Sequence, residues 1–166
     1  MPRFLHSWDN DARAMANISV QTIPSQVYFC IGQVLTLPEI RAFVEEATPS
    51  FMKRVASLNL VKCGPVEYHY RFDGNRKSKF TLEIAQPVEK AGACSDPYYF
   101  KRSPEFKCAS QQHRGSIRSI GQDWDFFAEH VQKAGYQPSG ENREVYRYWE
   151  SFESYRNITE LQFGIT

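Results

Sequence analysis

The sequence has few cysteines and no pairing pattern among them. Cys30, Cys63, Cys94 and Cys108 include no C-x-x-C, and none stands at metal-ligand spacing from a histidine. That argues against a zinc site, and no metal or other cofactor is expected. Charge of one sign is also lacking. The 20 Lys and Arg against 19 Asp and Glu leave a formal net charge of +1, too little for the basic field of a nucleic-acid binder. The densest basic stretch, Arg71 to Lys79, is broken by Asp73 and Gly74 and reads as a solvated turn. No apolar run is long enough to span a membrane, and the first residues, with Asp9 and Asp11, do not form a signal peptide. With unpaired thiols as well, the expected location is the cytoplasm. A Gly-rich phosphate loop, a nucleophile elbow and a Ser-His-Asp order are absent too. The histidines His6, His69, His113 and His130 are scattered, and none sits in an apolar helical context that marks a haem ligand.

What the chain does have is aromatic residues, 14% of a 166-residue chain that is 42% hydrophobic. That length suits one domain with a real core, and the aromatic excess suits β-structure and binding surfaces. Residues 1–17 are polar with isolated aromatics and read as an extension. From residue 18 to 166 the chain runs twice through one pattern. Repeat 1, about 18–88, opens with an extended segment, Val20 to Ile31, interrupted by Pro24. Val27, Phe29 and Ile31 alternate there with Tyr28 and Cys30. Thr36-Leu37-Pro38-Glu39 is a capping box ahead of a helix with an apolar stripe through Ile40, Phe43, Val44 and Ala47. Pro49 is expected to kink or restart this helix. Val66, Tyr68, Tyr70 and Phe72 form an alternating strand. Asp73-Gly74-Asn75 is a hairpin turn signal, and Phe80, Leu82 and Ile84 return.

A linker of small and turn residues, about 89–98, separates this from repeat 2, about 99–166. Phe106 to Gln112 alternate as a strand. Ser116 caps a helix whose stripe is Ile117, Ile120, Trp124, Phe127, Ala128 and Val131, closed by Lys133 and Gly135. Pro138-Ser139-Gly140 is read as a turn. Glu144, Tyr146 and Tyr148 then alternate on a strand, and Leu161, Phe163 and Ile165 on another. The predicted class is α+β: a duplicated strand-helix-strand-strand unit. An antiparallel sheet carries two helices on one face, with a cleft between repeats related by a pseudo-two-fold axis.

Aligning the repeats places Tyr68 and Tyr70 against Tyr146 and Tyr148, and Val66 against Glu144. By strand periodicity Glu144 shares a face with two tyrosines. A carboxylate among aromatic rings is a receptor for a lipophilic cation, since ring faces attract cations by about 0.5–2 kcal/mol each. The pattern alone rather favours an exposed face with Glu144 paired to Arg143 or Arg147, where such a pair contributes little. His69 falls opposite Tyr68 and Tyr70 and is expected at the surface. His113 reads as a structural hydrogen-bonding residue. The segment Trp149 to Asn157, with Phe152 and Tyr155, either lids the cleft or packs on the sheet edge.

Several of these stretches resemble a known family. They are His113-Arg114-Gly115-Ser116-Ile117 followed by Trp124 and Ala134-Gly135-Tyr136, then Arg143-Glu144-Val145-Tyr146 and Thr159-Glu160-Leu161-Gln162-Phe163. Together they resemble the gyrase-inhibitory-like small-molecule-binding domain, the effector-binding domain of AraC- and MerR-type multidrug regulators. The resemblance covers about residues 18–166 and is best in the second half. It implies the duplicated fold and a hydrophobic cleft. It also implies that Glu144 meets bound cations and that aromatics such as Tyr146 and Tyr148 line the pocket. The chain departs from the family in having Gly115-Ser116-Ile117 where a Gly-Pro-Tyr is usual. Residues 1–17 are too few for a helix-turn-helix, so a direct transcriptional role of this chain alone is not expected.

Three functions compete. The first is a stand-alone binding protein for apolar or cationic aromatic compounds, with Glu144, Tyr146, Tyr148, Tyr68, Tyr70, Phe163 and Trp149 as ligand-binding residues. The second is a small hydrolase of electrophilic aromatic compounds, as the resemblance also allows. There Glu144 would activate water and Tyr146 or Tyr68 would donate a proton. The third is a protein-protein inhibitor, for which the partner would be another protein. No direct nucleic-acid or membrane partner is expected.

Overall fold

A computed structural model describes residues 18–72 and 78–166. The extension over residues 1–17 and the Asp73-Gly74-Asn75 turn lie outside the described residues. The elements are β1 (Ser19–Ile23), β2 (Gln26–Leu35), α1 (Ile40–Ser57), β3 (Glu67–Arg71), β4 (Phe80–Val88), β5 (Tyr98–Ser103), β6 (Phe106–Arg114), α2 (Ile120–Lys133), β7 (Pro138–Tyr148) and β8 (Ile158–Ile165). A single 3₁₀ turn leads into each helix. No described helix is long and apolar enough to cross a membrane.

The strands form one sheet in the order β1-β6-β8-β7-β3-β4-β2-β5, antiparallel throughout. The fold is therefore α+β and duplicated, as the alternation predicts. The repeats meet where β3 pairs with β7, and there Tyr68 stands opposite Glu144 and Glu67 opposite Val145. The outermost strands are exchanged. β1 opens the first repeat but pairs with β6 of the second, and β5 opens the second repeat but pairs with β2 of the first.

Each helix buries its stripe on its own repeat. Phe51 and Val55 of α1 pack on Val27, Phe29, Ile84 and Val88, with the Phe29 and Phe51 rings stacked at 5.5 Å. Phe127 and Val131 of α2 pack on Ala109, Leu161, Phe163 and Ile165. Fully burying a side chain of this size contributes about 1.5–3 kcal/mol. The expected caps are present. The Glu39 carboxylate accepts from the Thr36 N–H at 2.7 Å, the Ser116 hydroxyl accepts from the Arg118 N–H at 3.2 Å, and Gly135 takes a positive φ past the end of α2.

Four expectations need correction. Pro49 does not restart the first helix, because α1 runs continuously through it; its packed stripe on both sides outweighs one lost hydrogen bond. Tyr98–Ser103, assigned partly to the linker, is an edge strand. Pro138-Ser139-Gly140 opens β7 rather than turning the chain: a register shift between Pro138 and Asn142, with Gly140 at positive φ, makes a bulge there. His69 does lie opposite Tyr68 and Tyr70, but it is buried, since Tyr28 of β2 packs edge-on to its ring at 4.8 Å.

The bulge in β7 brings backbone against Gly164. A side-chain carbon there would run into the Glu141 carbonyl and the Ser139 hydroxyl. Gly164→Ala is expected to lower stability by about 1–3 kcal/mol, read as a lower urea midpoint with an unchanged slope. An unaltered midpoint would show that the bulge shifts freely.

Candidate functional site

The helices sit apart on the sheet and leave between them a cleft of about 1120 Å³ over the β3–β7 seam. Its floor comes from the inward-facing residues of those strands, Tyr68 and Tyr70 on one and Asn142, Glu144 and Tyr146 on the other. Its walls are α1, through Val44, Thr48 and Met52, and α2, through Ile120, Trp124 and Ala128.

Glu144 is buried at the centre of the floor. Its Oε1 accepts from the Trp124 indole N–H at 2.7 Å. Its Oε2 accepts from the Tyr146 hydroxyl at 2.5 Å and the Tyr70 hydroxyl at 3.0 Å. All three donors are neutral. The nearby arginines are engaged elsewhere, Arg143 with Glu141 at 2.8 Å and Arg147 with Glu160 at 2.8 Å, so the exposed ion pair allowed by the pattern is not formed. Burial pushes the Glu144 carboxyl above its ordinary range, and the bonds from Tyr146, Trp124 and Tyr70 hold it back. Burial and the adjoining carboxylate also push the Tyr146 and Tyr70 phenols well up, so both keep their protons.

Tyr146 is wedged between Tyr68 at 4.7 Å and Trp149 at 5.7 Å, edge-on to both. Phe163 lines the cleft and packs edge-on to Phe127 at 6.3 Å. Trp149 and Phe152 stand at the rim, where Arg41 of α1 lies over the Phe152 ring at 4.7 Å. Of the 149–157 segment, these two aromatics reach the cleft, while Tyr155 is 78% exposed. Tyr148 is outside the cleft. A second irregularity between Tyr146 and Tyr148 breaks the alternation, and the Tyr148 hydroxyl donates to Glu150 at 2.8 Å on the surface.

Sequence reasoning missed Trp124 as a partner of Glu144. Its place on the α2 stripe shows that it faces the sheet. A buried indole N–H needs an acceptor, and that was the available signal. His113 fixes the approach to this residue. Its ring nitrogens lie 2.5 Å from the Asp123 carboxylate and 2.9 Å from the Ser116 carbonyl, which pins the start of α2 just before Trp124.

This chain shares the fold of the EcmrR C-terminal domain. The crystal structure of that domain matches with a TM-score of 0.76 at 18% identity, over 90% of this chain and 96% of that one. The structure of SAV2435 bound to tetraphenylphosphonium matches with a TM-score of 0.65 at 13% identity, over 90% and 93%. A hydrolase encoded by lin2189 from Listeria innocua matches with a TM-score of 0.56 at 10% identity, over 90% and 92%. Likeness at these identities carries the fold. No protein-family model matches the chain, and no curated protein matches it.

Behind the floor, on the opposite face of the sheet, lies a buried polar network. The Lys101 ammonium donates to the Glu83 carboxylate at 2.7 Å and to His69 Nδ1 at 3.1 Å. An ammonium only donates, so His69 carries its proton on Nε2 and donates it to Glu67 at 2.6 Å. Burial, with the charges of Arg143, Lys101 and Arg71, pushes the His69 ring well below its ordinary range. Burial pushes the Glu67 carboxyl up to about 7, against the pull of Arg143 and Tyr28.

A carboxyl raised on folding supports the fold in its protonated form. That contribution is full below the ordinary value of 4.5 and is lost as the pH rises through about 7. Between pH 5 and 8 the wild type is expected to lose about 2–3 kcal/mol relative to Glu67→Gln, measured by urea unfolding. Parallel stability curves for the two proteins would remove Glu67 as the source.

Proposed function

We propose that this chain is a small-molecule-binding domain of the gyrase-inhibitory-like kind. Its cleft takes apolar aromatic compounds and, with Glu144 as counter-charge, lipophilic aromatic cations. One observation carries this reading: a buried carboxylate at the centre of an aromatic cleft accepts hydrogen bonds from neutral groups alone. Burying a charge is unfavourable unless it is paired, and no Lys or Arg among the described residues is paired with this one. A cation entering the cleft would supply the missing partner. At about 5 Å it would gain roughly 3 kcal/mol at an effective dielectric of about 20, and ring faces among Tyr68, Tyr146 and Trp149 would add to it. A lipophilic cation gives up less hydration than an ammonium ion, so little of this gain is cancelled. The tetraphenylphosphonium bound to SAV2435, which shares the fold, is a ligand of this class.

A hydrolytic reading would make Glu144 the base and Tyr146 the acid. The geometry favours binding over it. The Tyr146 proton is directed into Glu144 itself, so acid and base bond to each other rather than flank a reacting atom.

Tetraphenylphosphonium, titrated against tryptophan fluorescence, is expected to bind saturably. Triphenylphosphine oxide serves as the neutral comparison. Glu144→Gln should lower the preference for the cation over the oxide by about tenfold to a hundredfold. Lowering the pH protonates a carboxyl already raised above 4.5, so cation affinity should weaken with acid while affinity for the oxide stays level. A cation preference unmoved by both acid and Glu144→Gln would sink the counter-charge role, and absence of saturable binding would sink the cleft reading.

A further inference from the structure

We propose that the α1 wall of the cleft carries a second, neutral polar subsite, in which the Thr48 hydroxyl and the Tyr68 phenol together hold a hydroxyl or carbonyl oxygen of the bound aromatic cation. The inference rests on the cleft reading above and narrows its ligand class from bare lipophilic cations to cations bearing a neutral oxygen.

Thr48 lines the cleft, and its hydroxyl is buried with no hydrogen-bond partner. A threonine inside a helix ordinarily returns its hydroxyl to a carbonyl one turn back. Ser57, near the end of the same helix, does so with the Arg54 carbonyl at 3.0 Å, and Thr48 does not. The next residue is Pro49, which has no N–H, so the Glu45 carbonyl loses the donor a regular helix would supply. One turn of α1, with Glu45, Thr48 and Pro49 all on the cleft, therefore holds polar capacity the fold leaves unspent. Thr159 is the other unpartnered buried hydroxyl among the described residues, and it does not line the cleft.

Tyr68 supplies the second group. Its neighbours Tyr70 and Tyr146 both give their protons to Glu144, but Tyr68 does not. Its phenol lies beside Thr48, close enough for that hydroxyl to ease its ionisation, yet the two make no bond of proper geometry. Burial pushes the phenol up to about 12, so it stays neutral and can both donate and accept. Tyr68 also stands directly across the seam from Glu144. A ligand lying over the seam thus meets a carboxylate on the side of the second repeat and, on the side of the first, the Tyr68 phenol with the unpartnered Thr48 hydroxyl beside it.

The test compares tetraphenylphosphonium with the 3- and 4-(hydroxymethyl)phenyl triphenylphosphonium ions, which add one hydroxyl to the same cation. The readout is the ratio of dissociation constants within each protein, so general changes in the cleft cancel. In the wild type at least one isomer is expected to bind about three- to tenfold more tightly than the parent. Thr48→Val and Tyr68→Phe should each bring that ratio towards one, and Thr48→Ser should retain it. Binding of the parent ion with no gain for either isomer would overturn the subsite and leave the cleft reading standing, as would a gain that survives both Thr48→Val and Tyr68→Phe. No saturable binding of any phosphonium to the wild type would overturn both.

Discussion

An ionisable carboxyl buried without a cation is the constraint around which the cleft is arranged. Glu144 can sit on the sheet only because an indole from α2 and two phenols from β3 and β7 converge on it. Each donor imposes a condition elsewhere. The indole requires α2 to start at a fixed depth, which His113 sets through Asp123 and the Ser116 carbonyl. The Tyr70 phenol requires β3 and β7 to pair in one register, since a slip by one residue would turn it to the far face. The convergence of neutral donors leaves the charge solvated but not neutralised, and the proposed receptor role rests on that distinction from a structural ion pair.

The far face of the same strands shows the opposite solution. There Glu83 is matched by Lys101, and Arg143 by Glu141, with Arg143 also lying over the Phe106 ring at 3.9 Å. Both of these buried charges are paired within the fold. Glu67 and Glu144 lie on opposite faces of adjacent strands and are both raised by burial, but Glu67 has His69 and Tyr28 closed over it while Glu144 opens on a cleft. Placement decides which of two similar carboxyls is available to a ligand.

Much of the fold was legible in the sequence because both periodicities were clean. The stripe from Ile117 to Val131 and the alternation from Val66 to Phe72 each admit one reading. Tyr98–Ser103 was not legible, since it runs from aromatic to basic without alternating and owes its place to pairing with β2. The approach of Tyr146 to Glu144 followed from spacing of two, whereas the departure of Tyr148 did not, because a bulge leaves no mark in the identities of its residues. Periodicity put His69 opposite the tyrosines correctly, yet what covers a face is a tertiary fact, and Tyr28 comes from a strand some forty residues away. Trp124 fell between: its direction was readable, its partner was not.

The exchange of the outer strands has a mechanical consequence. With β1 sewn to the second repeat and β5 to the first, the two halves are laced together at both margins of the sheet as well as at the central seam. Swinging them apart like jaws would tear three sets of backbone hydrogen bonds at once. Any widening of the cleft would therefore fall to the rim aromatics Trp149 and Phe152 and to the helices rather than to the strands of its floor.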